Sequence, residues 1–166
     1  MSGILFLILP SVIFALQNNK DRMKGTWHGY YKYDNKEIQK ALGFDMTNFT
    51  IVINTFEDGN FEGFVNDDIT TGGMKEMGII IGSISGNMIK FKKYMPQESL
   101  IDVNGNHFYT GKKHKTLYYL GELSADKTQI KGKWKFNYSI AFLFGVLPIP
   151  FRPGTGTWGM TYKARE

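Results

Sequence analysis

Apolar and polar residues alternate along much of this chain, which is the pattern of half-buried β-strands. The clearest case begins at residue 130, where an apolar series alternates with a lysine-rich series. The apolar series is Ile130, Gly132, Trp134, Phe136 and Tyr138, and the polar series is Lys131, Lys133, Lys135 and Asn137. We expect the first series to face a core and the lysines to face solvent, where they also discourage edge-to-edge pairing of strands.

Eight segments of this kind follow one another, and turn signals such as Asp58-Gly59 and Gly86-Asn87 join several of them directly. The segments are 26–33, 47–56, 60–66, 77–85, 88–95, 116–123, 130–138 and 156–163. No strand–helix–strand spacing occurs among them. The pattern therefore predicts an all-β fold, an eight-stranded antiparallel up-and-down β-barrel. A β-sandwich is the alternative.

The first and last segments share a motif. Gly25-Thr26-Trp27 opens the first and returns as Gly156-Thr157-Trp158 before the last. A closed antiparallel barrel must pair its first and last strands, and a shared motif fits that closure. In the first segment the alternation places Trp27, Gly29, Tyr31 and Tyr33 on the inward face.

The connection after the first segment carries helix signals. Asp34 and Glu37 have the spacing of a capping box, and Gly43 suits a left-handed stop. A helix of two turns or a long loop is expected here, lying over one opening of the barrel.

The N-terminal segment 4–16 is apolar apart from Ser11, and the polar run 17–24 follows it. As a helix it would extend about 20 Å, which is too short for a hydrocarbon core of about 30 Å. That length matches a signal peptide cleaved near Ala15, which predicts a secreted or periplasmic protein. An uncleaved membrane anchor and a packed N-terminal helix are the alternatives. The domain prediction is a signal peptide over 1–16, a linker over 17–24 and one barrel domain over 25–166.

Charge and cysteine content narrow the function classes. The chain has no cysteine, which excludes disulfides, thiolate catalysis and zinc–thiolate sites. Its net charge of +5 is a mild excess that suits an ordinary basic surface and falls short of a nucleic-acid signature. No nucleic-acid partner is predicted.

The triplet Gly25-x-Trp27, the eight segments and the single-domain length resemble the calycin superfamily of lipocalins, fatty-acid-binding proteins and avidin-like barrels. In lipocalins a Gly-x-Trp opens the first strand, and its tryptophan packs across the closed bottom of the barrel. The resemblance implies that role for Trp27. The lipocalin Thr-Asp-Tyr motif is absent, and residues 34–43 allow one short helix where fatty-acid-binding proteins have two. No ligand-contacting residue is carried over from these families.

Side chains for catalysis or metal binding are few. The histidines are His28, His107 and His114. None has metal-ligand spacing, and no nucleophile elbow, phosphate loop or dinucleotide fingerprint occurs. We predict no catalytic residue, no metal site and no cofactor.

Two carboxylate positions stay open. Asp67-Asp68 at a strand end could bind calcium or act as a base, although turn formation explains the pair more simply. Glu122 faces inward beside Tyr118 in one register of its strand and outward in the other. An enzyme that uses Asp67, Glu122 or His28 is the least favoured function.

The inward aromatic face is the candidate binding site. An eight-stranded barrel is nearly filled by its side chains or leaves room for one small ligand. Aromatic rings offer apolar surface, and tyrosine hydroxyls near an opening can meet the polar end of a ligand. The candidate ligand-binding residues are Tyr31, Tyr33, Phe91, Tyr118, Trp134, Phe136, Tyr138 and Phe144.

The segment 141–151 is almost continuously apolar, and its two prolines exclude a central strand or a regular helix. It either folds inward as a plug or forms a rim that admits an apolar ligand or touches a membrane or a protein. Arg152 and the lysines 131, 133 and 135 would add attraction to anionic headgroups. The predicted function is non-enzymatic binding of a small hydrophobic or amphipathic ligand. The alternative is an exported interaction module that contacts the envelope, a membrane surface or a protein partner through 141–151.

Overall fold

The structure is a computed structural model that describes residues 23–101, 107–136, 139–143, 147–151 and 154–164. It contains twelve strands and one α-helix in the described residues. The strands are β1 (Gly25–Tyr33), β2 (Thr47–Glu57), β3 (Asn60–Asp67), β4 (Gly78–Ser85), β5 (Met88–Tyr94), β6 (Ser99–Ile101), β7 (His107–Tyr109), β8 (Leu117–Leu123), β9 (Gln129–Phe136), β10 (Ser139–Leu143), β11 (Leu147–Phe151) and β12 (Thr155–Lys163), and the helix is α1 (Lys36–Leu42).

Eight of these strands form a closed antiparallel barrel in the order β1-β12-β9-β8-β5-β4-β3-β2. Each barrel strand therefore lies beside the barrel strands that precede and follow it in the chain, which is an up-and-down barrel. The first and last strands pair from Thr26 opposite Lys163 to Tyr33 opposite Gly156. The predicted fold class and the predicted closure are confirmed.

The two ends of the barrel differ in their connections. At one end, here called the turn end, tight turns join β2 to β3, β4 to β5 and β8 to β9. At the other, here called the looped end, the strands are joined by α1 and by the longer connections 68–77, 95–116 and 137–154. The β6–β7 and β10–β11 hairpins belong to the last two of these connections and pair only within themselves. Every long connection of the barrel therefore lies at the looped end.

Helix α1 forms where the helix signals stand, although its N-terminal cap is not Asp34. Asn35 Oδ1 accepts the backbone N–H of Glu37 at 2.9 Å. The carboxylate of Asp34 instead accepts the hydroxyl of Thr155 at 2.8 Å, which ties the end of β1 to β12. The capping-box prediction was wrong at that residue because a neighbouring strand offered Asp34 a different donor.

Three buried tryptophans organise the interior, and each indole N–H donates to a backbone carbonyl. Trp27 is fully buried at the turn end and donates to the carbonyl of Met23 at 3.1 Å. Trp134 donates to the carbonyl of Lys32 at 3.1 Å. Trp158 lies 3.2 Å from the carbonyl oxygens of both Leu120 and Lys133.

Glycine at 156 makes room for one of these indoles. A Cβ at that position would overlap the carbonyl oxygen of Lys32 and the indole of Trp134. The glycine in the second Gly-Thr-Trp motif therefore allows β12, β1 and the Trp134 side chain to approach closely. Around the tryptophans the core is apolar and includes Ile51, Ile53, Phe61, Ile80, Ile89 and Ile130.

No helix in the described part of the chain has the length and apolar character to span a bilayer. The predicted N-terminal signal segment 1–16 and most of the predicted linker lie outside the described residues. Met23, at the end of that linker, is buried in the core.

Candidate functional site

Two oppositely charged side chains lie inside the barrel near the looped end. Asp67 is the last residue of β3 and Lys93 the next to last of β5, and the strand alternation turns both inward. The Nζ atom of Lys93 lies 2.5 Å from Oδ1 and 2.7 Å from Oδ2 of Asp67. The two side chains are only 4% and 2% exposed. They form a bidentate ion pair that is almost completely removed from water.

The geometry of the pair requires a long cationic side chain. Strand β4 lies between β3 and β5, so the pair spans two interstrand spacings of about 4.8 Å each. The flexible four-carbon stem of lysine can cross that distance. Strand β4 therefore lies between the strands of the two residues but takes no part in the ion pair.

An aromatic cluster adjoins the ion pair through Tyr31. The amine of Lys93 lies 5.4 Å from the centre of the Tyr31 ring, within the range of a cation–π contact. Tyr31 and Tyr33 both pack edge-on against Trp134, with ring centres 5.9 and 4.9 Å apart. Phe136 extends the group, 5.6 Å from Trp134. We call Tyr31, Tyr33, Trp134 and Phe136 the aromatic rim.

Three tyrosine hydroxyls near the pair stay neutral well into the alkaline range. Burial raises the pKa of Tyr33 to about 12, and the negative charge of Asp67 adds to the shift. Burial, again reinforced by Asp67, raises the pKa of Tyr31 and Tyr119 well above the usual value. These phenols are therefore hydrogen-bond donors, and not phenolates, at physiological pH.

His114 stands beside the rim, with its ring centre 5.8 Å from that of Phe136. Burial lowers its pKa, and the positive charge of Lys93 lowers it further, so the imidazole is mostly neutral at pH 7. Its Nδ1 lies 2.6 Å from the carbonyl of Lys115. Since a carbonyl can only accept, Nδ1 carries the proton and Nε2 is left as an acceptor.

The structure brings together half of the predicted ligand-binding residues. Tyr31, Tyr33, Trp134 and Phe136 form the aromatic rim. Phe91 lies deeper, 3% exposed and stacked on Tyr119 at 4.5 Å, so it is part of the packed core. Tyr138 and Phe144 lie outside the residues that the structure describes.

Strand β8 adopts the register that turns Tyr118 away from the interior. Leu117, Tyr119 and Gly121 are buried, whereas Tyr118 and Glu122 lie on the outer face. The amine of Lys92 lies 5.7 Å from the centre of the Tyr118 ring there. Of the two registers that the sequence left open, the structure has the one that turns Glu122 outward, and the candidate ligand-binding residue Tyr118 turns outward with it.

The adjacent acidic residues Asp67 and Asp68 have different roles. Asp68 caps a short 3-10 turn, Ile69–Thr71, by accepting the backbone N–H of Thr70 at 2.9 Å. These turn hydrogen bonds lower its pKa. Turn formation therefore explains Asp68, but Asp67 belongs to the buried ion pair.

The other side chains considered for metal binding or catalysis do not lie close together. His28 is exposed on the outer face of β1, where its Nδ1 lies 3.1 Å from the hydroxyl of Thr50. In the described part of the chain, no three His, Asp or Glu side chains are grouped closely enough to hold a metal ion.

Sequence reasoning missed Lys93, Tyr119 and His114 as members of the site. One signal was present in β5, where Lys93 occupies the same face as Ile89 and Phe91. A charged residue at an apolar position of an alternating strand indicates a buried partner. Its partner could not be read from the alternation, because Asp67 lies on a strand that β5 does not touch.

Comparisons with protein-family models, with curated proteins and with solved structures find no match. The function therefore has to follow from the chemistry of this chain's own residues.

The raised tyrosine pKa values predict an alkaline loss of stability. Between about pH 10 and 12 the unfolded chain releases the Tyr33 proton and the folded barrel retains it. The folded state then binds more protons than the unfolded state, so the free energy of unfolding falls as the pH rises. Urea titrations across this range should show a shallower fall in Tyr33→Phe than in wild type. Tyr30→Phe, which alters the outer face of β1, is the matched control, and equal slopes in wild type and Tyr33→Phe would contradict the prediction.

Proposed function

We propose that this protein is a non-enzymatic, calycin-like binding protein that holds one small amphipathic molecule at the looped end of its barrel. The observation that carries the proposal is the buried ion pair of Asp67 and Lys93, which contacts Tyr31 of the aromatic rim. The polar group of the ligand would meet this pair, and its apolar part would lie against the rim.

A buried ion pair contributes little net free energy to the stability of a fold. Removing two charges from water costs several kcal/mol for each ion, and well-packed apolar replacements are often neutral or stabilising. Among the described residues, the buried side chains apart from this pair and Thr47 are apolar. A pair kept in such surroundings is more useful for recognising a polar group than for holding the barrel together.

The pair has hydrogen-bonding capacity left over. Two N–H groups of Lys93 can serve the two oxygens of Asp67, and no other described residue takes up its third N–H. The carboxylate oxygens retain free lone pairs as well. A hydroxyl, amide or carboxylate group of a ligand could therefore bond to either member, and the neutral hydroxyls of Tyr31 and Tyr33 add nearby donors.

The position of the pair selects the looped end as the binding region. Towards the turn end the interior is filled by Trp27, Ile51, Ile53 and Phe61, each at most 2% exposed. Of the rim residues, Tyr31, Tyr33 and Phe136 are only partly buried, whereas Trp134, against which they pack, is 2% exposed. An apolar ligand surface could cover these rings, and two described segments at this end, α1 and 68–77, could enclose it.

The proposal can be tested with 1-anilinonaphthalene-8-sulfonate, a fluorescent molecule that joins an anionic sulfonate to apolar rings. The double variant Asp67→Leu/Lys93→Met removes both charges and keeps similar side-chain volumes. We expect the full-length variant to bind this molecule at least about tenfold more weakly than wild type, because a hydrogen bond to a charged group contributes about 1.5–3 kcal/mol.

The matched control is Lys163→Met/Glu57→Leu, which removes one charge of each sign from exposed positions at the turn end. It should keep the wild-type dissociation constant. If the two double variants bind the fluorescent molecule equally well, the ion pair does not recognise the ligand and the proposal fails.

A further inference from the structure

Lysines are concentrated on the outer face of one part of the barrel wall. Strands β5 and β9 flank β8, and five exposed lysines project outward from them: Lys90, Lys92, Lys131, Lys133 and Lys135. Glu122 is the single carboxylate among the outward residues of these three strands, all of which are described in full. We call these three outer strand surfaces the basic face.

The strand register arranges the basic face in rows. Lys90 and Lys133 stand on either side of Leu120, and Lys92 and Lys135 stand on either side of Tyr118. None of the five lysines forms an ion pair with another described residue. Glu122 stands directly opposite Lys131 and offsets part of that lysine's charge. The other four lysines have no carboxylate opposite them on these strands, so their charges add to one another.

Exposed apolar side chains lie among these lysines, Leu120 on β8 and Met88 on the lysine-bearing face of β5. Leu120 is 54% exposed and Met88 is 39% exposed. Together with Leu123 they line a shallow groove of about 480 Å³, which Glu122, Lys131 and Lys133 border. The basic face therefore combines a net positive charge with exposed hydrocarbon on Leu120 and Met88.

Edge protection does not explain these lysines. Outward lysines discourage aggregation where a sheet ends in an unpaired strand, but a closed barrel has no such edge. β8 is paired on both sides, with β5 and β9. The expectation that the lysine row protects an edge is therefore wrong for this fold.

We propose that the basic face docks on an anionic phospholipid surface. A convex barrel wall meets a flat membrane along a line, and here that line is the outer side of β8. Leu120 and Met88 would enter the boundary between headgroups and acyl chains, while the lysines on both sides reach the phosphate oxygens with their long stems. This surface is separate from the interior site, so the two proposals stand or fall independently.

Co-sedimentation of the full-length protein with phospholipid vesicles tests the docking. The vesicles are either phosphatidylcholine alone or phosphatidylcholine with about one-third phosphatidylglycerol. We expect binding to the anionic vesicles to exceed binding to the neutral ones and to weaken in high salt. The apolar segment 4–16 is present in every variant, so any contribution from it is the same throughout.

The charge test compares two triple variants with equal loss of charge. Lys90→Gln/Lys131→Gln/Lys133→Gln should lower the partition coefficient on anionic vesicles roughly a hundredfold, since each lysine near such a surface contributes about fivefold. Lys36→Gln/Lys40→Gln/Lys75→Gln changes exposed lysines elsewhere and is the control. The proposal is wrong if both triple variants lose the same fraction of binding.

A substitution of the exposed apolar side chain Leu120 distinguishes docking on a lipid surface from binding to other polyanions. Leu120→Gln should weaken vesicle binding roughly fivefold to tenfold. Val52→Gln, which replaces an exposed apolar residue of β2 on the opposite side of the barrel, should leave vesicle binding unchanged. If Leu120→Gln has no effect while the basic-face triple variant abolishes binding, the face is a general polyanion site, and lipid docking is contradicted.

Discussion

Asp67→Ala is expected to lower the free energy of unfolding by about 3–5 kcal/mol. The substitution leaves the amine of Lys93, whose side chain is 4% exposed, in the barrel interior without its carboxylate. Burying an unpaired charge is costlier than losing the attraction within the pair, because the amine must either stay desolvated or lose its proton. Urea unfolding, followed by tryptophan fluorescence, measures the loss.

The double variant Asp67→Leu/Lys93→Met separates the penalty for an unpaired charge from the contribution of the pair itself. We expect its free energy of unfolding to lie within about 2 kcal/mol of wild type, since apolar residues of similar volume can replace a buried pair. If Asp67→Ala loses less than about 1 kcal/mol, Lys93 reaches water and the pair is not buried as described.

Trp27→Ala is expected to destabilise the barrel by a similar amount, about 3–5 kcal/mol. The side chain is fully buried at the turn end, where its ring packs edge-on against Tyr162 at 5.2 Å. Truncation removes that contact and opens a cavity at the turn end. It also removes the indole N–H that donates to the carbonyl of Met23. Thermal unfolding and urea unfolding should both report the change.

Trp27→Phe is the graded comparison for this position. It keeps an aromatic ring at the turn end and removes the indole N–H. The free energy of unfolding should fall by about 1–3 kcal/mol, because the carbonyl of Met23 loses its donor and side-chain volume is lost. If the Trp27→Ala protein were as stable as Trp27→Phe, the side chain of Trp27 would not be packed in the core at the turn end.

The barrel itself could be predicted from the sequence because two independent patterns agree. The period-2 alternation placed the eight strands, and the Gly-Thr-Trp motif at both ends indicated which strands close the barrel. In the structure Trp27 and Trp158 lie on β1 and β12, which pair along their length. Turn signals such as Asp58-Gly59 defined the short connections.

The β8 register could not be predicted in the same way. Its outer residues Tyr118 and Leu120 are as apolar as its inner residues Leu117 and Tyr119, so alternation alone does not separate the faces. The outer apolar residues are flanked by lysines of neighbouring strands, and that arrangement becomes visible only once the strands are paired.

The candidate site was only half predictable for a related reason. The aromatic rim follows from the inward faces of β1 and β9, which periodicity assigned. The contact between Asp67 and Lys93 joins strands that are not neighbours in the barrel. No local pattern specifies such a contact, because it depends on how the barrel curves and on what lies between the two strands.

Mass spectrometry of molecules that co-purify with the full-length protein tests ligand binding most directly. Wild-type protein should carry one amphipathic molecule per chain in the native spectrum, and organic extraction should release it. The Asp67→Leu/Lys93→Met variant, purified in parallel, should carry none or much less. Binding at the looped end would be contradicted if the wild-type protein were empty, or if both proteins carried the same molecule in equal amount.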